Sequence, residues 1–100
     1  MIASMDKHAL KLSIVIPVYN EHENIEKTIH SIERDIKVPH EIITVYDQEN
    51  DTTLPVLNHL KEQHANLSIV KNIIKPGPSG AIRTGLKVAQ APLVLVMMAD

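Results

Sequence analysis

Lys11–Ile36 reads KLSIVIPVYNEHENIEKTIHSIERDI, and its two halves follow different periods. Lys11–Pro17 is a short run rich in β-branched residues, which fits a strand. Beyond it, Ile25, Ile29, Ile32 and Ile36 fall at i, i+4, i+7 and i+11, so a helix would carry all four on one face. Asn20 stands where it can cap that helix, with Glu23 three residues on in the manner of a capping box. Glu21, Glu23 and Glu26 lie near the positive end of the helix, where carboxylates are stabilising. A strand followed at once by an amphipathic helix is the opening of a βαβ unit.

The alternation continues outward. Glu41–Asp47 (EIITVYD) reads as a second strand, Leu67–Asn72 (LSIVKN) as a weaker third, and Leu93–Met98 (LVLVMM) as a fourth that is apolar throughout. Leu54, Leu57 and Leu60 mark a second helix, capped by Asp51 or Thr52, with Pro55 tolerable only in its first turn. Ile82, Leu86 and Ala89 mark a third, entered through KPGPSG and stopped by Pro92. The order βαβαβαβ, with runs apolar on both faces, predicts an α/β fold: a parallel sheet between helices, joined by right-handed crossovers. Ligands of such sheets bind beyond the carboxyl ends of the strands. That rule selects Pro17–Glu21, Asp47–Asp51, Lys75–Gly80 and Ala99-Asp100 as the functional shortlist.

Composition narrows the classes. One hundred residues, 44% apolar and 22% charged, make one small domain with an aliphatic core, since Tyr19 and Tyr46 are its only aromatics. There is no Cys, hence no disulfide framework and no thiolate metal site. That is compatible with a reducing compartment, and a cytoplasmic location is the expectation. The longest apolar run, Ala91 to Ala99, is far short of the roughly 20 residues of a membrane span, and the N-terminus lacks the apolar core of a secretory signal. Residues 1–62 carry eleven acids and six bases, whereas residues 63–99 carry Lys71, Lys75, Arg83 and Lys87 and no acid. Such a block is either a solvated basic face or a field that draws an anionic ligand. Four bases without interleaved aromatics argue against nucleic acid and suit a phosphorylated small molecule better.

Each shortlisted residue has a bland and a chemical role. Tyr19 is a loop aromatic, or a ring that stacks on a base. Asp47 is a capping carboxylate, or an acceptor for a base N–H or a ribose hydroxyl; Asp51 is better placed to cap. PGPSGAIRTG, residues 76–85, is a rigid connection, or a glycine turn whose helix N-terminus and Arg83 meet a phosphate. It is neither a Walker loop nor GxGxxG. Asp100 follows an apolar strand and can hold Mg²⁺ or Mn²⁺. The six histidines show no metal-ligand spacing, and Met97 and Met98 read as core or pocket wall.

Taken together, LSIVIPVYNEHENIEKTI, EIITVYDQENDTT and GPSGAIRTGLKVAQAPLVLVMMAD resemble the ordered motifs of family 2 glycosyltransferases of the GT-A fold. The nearest flavour is the dolichyl- or polyprenyl-phosphate sugar transferases. The resemblance covers residues 11–100 and implies a three-layer Rossmann-like fold of strand order 3-2-1-4. It makes residues 1–10 a tail and residues 11–100 the nucleotide-sugar-binding half of a domain, truncated at the D-x-D position. It implies that Pro17, Tyr19 and Glu21 line the nucleotide pocket, that Val45 and Asp47 contact base or ribose, and that Arg83 lies near the diphosphate. Ala99 and Asp100 complete the donor site, and Asp100 binds Mg²⁺ or Mn²⁺. The implied partners are a UDP- or GDP-linked sugar and a polyprenyl phosphate or glycan acceptor, with the full-length parent at the cytoplasmic membrane face. The catalytic base is expected beyond Asp100.

Three departures stand out. Tyr46 and Met98 occupy positions where the family usually has Asp, and Gln48-Glu49 replaces Gly-Ser. They leave a second reading open, a degenerate transferase-like binding module. A nucleotidyltransferase would want a glycine- and base-rich loop after the first strand, which IPVYNEHEN lacks. The fourth strand, central in the family, is expected at an apolar edge here, inviting self-association.

Overall fold

The structure is a computed structural model and describes residues 9–99. Four strands and three helices alternate: β1 (Leu12–Pro17), α1 (Ile25–Asp35), β2 (His40–Tyr46), α2 (Thr53–Lys61), β3 (Leu67–Lys71), α3 (Pro78–Val88) and β4 (Leu93–Val96). The strands form one sheet of order β3-β2-β1-β4. All three pairings are parallel, with Leu12 opposite His40 and Leu93, and Ile42 opposite Leu67. The chain steps from β1 to β3 in one direction and then returns past β1 to β4. With right-handed crossovers, that reversal puts α3 on the face opposite α1 and α2.

The two faces are filled unequally. Ile14 and Ile16 of β1, Ile42 of β2 and Leu67 of β3 meet Ile25, Ile29 and Ile32 of α1 and Leu57 and Leu60 of α2 in the main core. Leu10, which the sequence places with the tail, is buried, and the Lys11 N–H donates to the Pro39 carbonyl. On the other face only Val15, Ile43, Val45 and Ala81 form a buried cluster. There α3 buries Gly80, Ala81, Thr84 and Gly85, so its contact face is a stripe of small residues. Gly85 is obligatory at this distance: a Cβ there would collide with the Val15 side chain. Of the stripe expected from periodicity, Ala89 packs against this cluster, but Ile82 and Leu86 are not part of the buried face, and Leu86 is 48% exposed.

Other boundaries differ for identifiable reasons. Asn20 does not cap α1. It adopts a left-handed φ of 50° and turns its side chain to the next loop, while α1 begins after Asn24, which makes no side-chain cap bond. Asp51 does cap α2, its Oδ1 accepting the Thr53 N–H at 2.7 Å. Helix α3 ends at Val88, before Pro92. The following turn is captured by a buried pair: Ser13 Oγ donates to Glu41 Oε2 at 2.6 Å, which also accepts the Gln90 N–H, while the Ala91 N–H donates to Ser13 Oγ. Strand β4 stops at Val96 rather than Met98, and it lies at the sheet edge with all four residues exposed.

Candidate functional site

The strand order reverses between β1 and β4, and the carboxyl ends of those strands open onto a cleft of about 270 Å³. Its lining is Pro17, Val18, Tyr19, Glu21, Asp47, Gly77, Pro78, Ala81 and Met98. Four of the sequence candidates, Pro17, Tyr19, Glu21 and Asp47, thus come together on one cavity, and Met98 forms part of its wall. The cleft sits at the topological switch point, where open α/β sheets hold their ligands.

One wall is the loop after β1. The Val18 N–H continues the ladder to the Val45 carbonyl, and then the chain is braced against the loop after β2. The Asn20 N–H donates to Asp51 Oδ1 at 3.1 Å, and the Glu21 N–H donates to Thr53 Oγ1 at 2.8 Å. In return, the Thr52 N–H donates to Asn20 Oδ1 at 3.0 Å. The left-handed backbone at Asn20, which Asn tolerates better than most residues, lets this exchange close. It leaves the Tyr19 ring 72% exposed at the mouth of the cleft, free to lie against a flat ligand.

The opposite wall is Asp47 and the entry to α3. Asp47 Oδ1 accepts from Asn72 Nδ2 at 2.7 Å, and Oδ2 accepts the Gly77 N–H at 2.9 Å. Gly77 has a φ of 105°, which a side chain would strain. The Gly77 N–H is therefore taken by a carboxylate of the opposite loop. Each Asp47 oxygen keeps a further lone pair for a donor in the cleft.

The remaining candidates lie elsewhere. Val45 is fully buried beneath the cleft in the α3-side cluster. Ala99 is buried against the main core, and its carbonyl accepts from Thr28 Oγ1 at 2.9 Å. Arg83 is exposed on α3 and does not line the cleft. Asp100 lies outside the described residues. Among the lining residues the charged groups are the carboxylates of Glu21 and Asp47, so the cavity itself offers acceptors to groups that donate hydrogen bonds.

Among the described residues no group of three or more His, Asp or Glu is placed to hold a metal ion. Asp47 is committed to the α3 entry, and the Met98 thioether is a poor partner for a hard cation. The described residues therefore do not form a metal site by themselves. Asn72, Thr84 and Ala81 were not singled out from the sequence. Asn72 was within reach of the strand-end rule, since it directly follows β3, but a single Asn there carries no pattern of its own.

Comparison with known proteins agrees with this geometry. The model of the family "Glycosyl transferase family 2" matches residues 13–100. The chain is 33% identical over 94 residues to poly(ribitol-phosphate) beta-glucosyltransferase of Bacillus spizizenii, covering 91% of this chain and 15% of that protein. It is 30% identical over 92 residues to dolichol-phosphate mannosyltransferase of Pyrococcus furiosus, covering 91% and 26%. Among solved structures, S. aureus TarS 1-349 in complex with UDP-GlcNAc superposes with a TM-score of 0.74 at 25% identity, covering 91% and 27%. Mannosyltransferase PcManGT from Pyrobaculum calidifontis, in complex with GDP-Man and Mn²⁺, gives 0.79 at 24% identity over 97% and 30%, a likeness of fold. The chain spans less than a third of the length of each of these proteins. A match that begins at Ser13 in β1 and runs to Asp100, on a sheet of this order with its cleft at the reversal, makes the chain a member of glycosyl transferase family 2.

Proposed function

We propose that the chain binds the nucleotide part of a sugar donor and belongs to an enzyme that transfers the sugar to a polyprenyl phosphate or a glycan. One observation carries this reading. Tyr19, Glu21 and Asp47, brought from the loops after two different strands, line a single cleft at the switch point of the sheet. The exposed ring offers a stacking surface, and the carboxylates offer acceptors for base N–H and ribose hydroxyl groups. The names of the relatives, which include glucosyl- and mannosyltransferases, support the same reaction class.

A divalent ion, Mg²⁺ or Mn²⁺, belongs to the proposal, with Asp100 as its ligand. When bound, such an ion neutralises charge on a leaving diphosphate. We place the protein in the cytoplasm, at the membrane face where the acceptor is a polyprenyl phosphate; no helix among the described residues is long and apolar enough to cross a membrane. The proposal also includes self-association through the free edge of β4.

The test is calorimetric titration of UDP and GDP into the chain, with and without Mg²⁺ or Mn²⁺. Asp47→Ala is expected to weaken binding about tenfold, the scale of one lost charged hydrogen bond. Asp100→Ala is expected to abolish the dependence on the ion. Equal affinity of Asp47→Ala and the unaltered chain overturns the assignment. The second reading, a transferase-like module without catalysis, is favoured by Met98 on the cleft wall. It predicts nucleotide binding indifferent to the ion.

A further inference from the structure

We infer that Asn72 and Thr84 are positioning residues of the cleft: together they fix the direction of the Asp47 carboxylate and hold Gly77 against it. The inference deepens the donor-site reading and rests on it for its functional meaning.

Asn72 follows β3, and its N–H donates to the Tyr46 carbonyl at 2.7 Å, one step beyond the paired strands. Its side chain then serves two directions at once. Nδ2 donates to Asp47 Oδ1 at 2.7 Å and to the Lys75 carbonyl at 2.6 Å, which uses both amide protons. Oδ1 accepts the Ile74 N–H at 3.0 Å and the Thr84 hydroxyl at 3.0 Å. The partners settle the orientation of the amide, because a flip would set Oδ1 against a carboxylate and a carbonyl.

Thr84 completes the link. Its side chain is buried on the small-residue face of α3, and Oγ1 donates to Asn72 while accepting the Ile73 N–H at 3.3 Å. The helix is thus tied through one hydroxyl to Asn72, and through Asn72 to Asp47. Asp47 Oδ2 closes the circuit on Gly77, one residue before the helix. Oδ1 and Oδ2 are each held by one donor, which fixes the plane of the carboxylate and the direction of its remaining lone pairs. Asp or Leu at position 72 cannot do this, since the position must donate to Asp47 and accept from Thr84 together.

The experiment compares Thr84→Val, Asn72→Ala and Thr84→Ser in the full chain, with two readouts. The first is exchange of the Gly77 amide in the nucleotide-free protein, followed by NMR. It is expected to quicken about tenfold in Thr84→Val and Asn72→Ala and to stay near the original rate in Thr84→Ser, which keeps the hydroxyl. The second is the affinity for UDP and GDP with Mg²⁺. It is expected to fall about tenfold in the first two variants and to stay within about twofold in Thr84→Ser, even though losing a buried methyl lowers its thermal stability. Unchanged Gly77 exchange in both Thr84→Val and Asn72→Ala overturns the inference. So does a Thr84→Ser variant as impaired as Thr84→Val, because the hydroxyl is then not what acts. If the unaltered chain binds neither nucleotide while Gly77 exchange responds as expected, the donor-site reading falls and the positioning of Asp47 and Gly77 stands.

Discussion

The two faces of the sheet are held by different forces. Toward α1 and α2, buried Ile and Leu side chains from five elements fill the space, and the attraction there is non-directional. Toward α3, the helix comes close by having almost no side chains at its contact. What fixes it is a set of directed bonds: Glu41 and Ser13 on the turn after it, Asn72 to Thr84 partway along it, and Asp47 to Gly77 at its start. Apolar burial supplies stability and tolerates small shifts. Hydrogen bonds supply less net stability each, about 1 kcal/mol, but they fix positions closely. The cleft lies where the second kind of packing meets the tops of the strands, so its walls are set by geometry rather than by bulk.

The largest effect is expected where the first kind of packing is removed. Ile29→Ala, at a fully buried site in the α1–α2 layer, is expected to cost about 2–5 kcal/mol in urea unfolding. Leu86→Ala, an equally aliphatic change on the outer side of α3, is expected to stay within about 0.5 kcal/mol. Similar losses at the two sites would erase the contrast between the faces.

A smaller effect tests how close α3 stands. Gly85→Ala places a methyl group into Val15, and overpacking of that kind costs about 1–3 kcal/mol, less about 1 kcal/mol returned by helix propensity. The Val15→Ala change in the same molecule is expected to recover part of the loss, because it clears the contact. If Gly85→Ala stabilises the chain on its own, the approach is looser than described and the small-residue stripe is not a packing device.

This contrast also explains what could be read from the residues alone. The α1–α2 side was legible because large aliphatic side chains recur at helix and strand periods, as Ile25, Ile29 and Ile32 do. The α3 side was not. Gly80, Ala81, Thr84 and Gly85 leave no apolar stripe, so periodicity pointed to Ile82 and Leu86 on the wrong face. The site divided in the same way. Topology led to the loops Pro17–Glu21 and Asp47–Asp51, because the strand order determines which loops meet, and the family resemblance singled out Pro17 and Glu21 within the first. The partners of Asp47 stayed hidden, since Asn72 and Thr84 act through bonds to residues 25 and 12 positions away. Asn20 was misassigned for a related reason: its local spacing fits a cap, but its side chain bonds across to Thr52.

The smallest effect on folding concerns β4, a strand that, among the described residues, neither kind of packing finishes. Leu93 is 66% exposed, and its strand has a neighbour on only one side. An apolar edge without charge is a template for another strand, so the chain is expected to associate as its concentration rises in sedimentation experiments. Leu93→Lys is expected to change unfolding stability by no more than about 0.5 kcal/mol and to keep the protein monomeric over the same range. Position 93 separates the two readouts better than position 95. Leu95 sits beside the fully buried Ile14, where a charge would disturb the core, whereas Leu93 sits beside the partly buried Leu12 and its replacement can extend into water. An unaltered chain that stays monomeric throughout overturns the edge assignment. A Leu93→Lys variant that still associates moves the contact from the backbone edge to the outer face of α3, where Leu86 and Val88 are exposed.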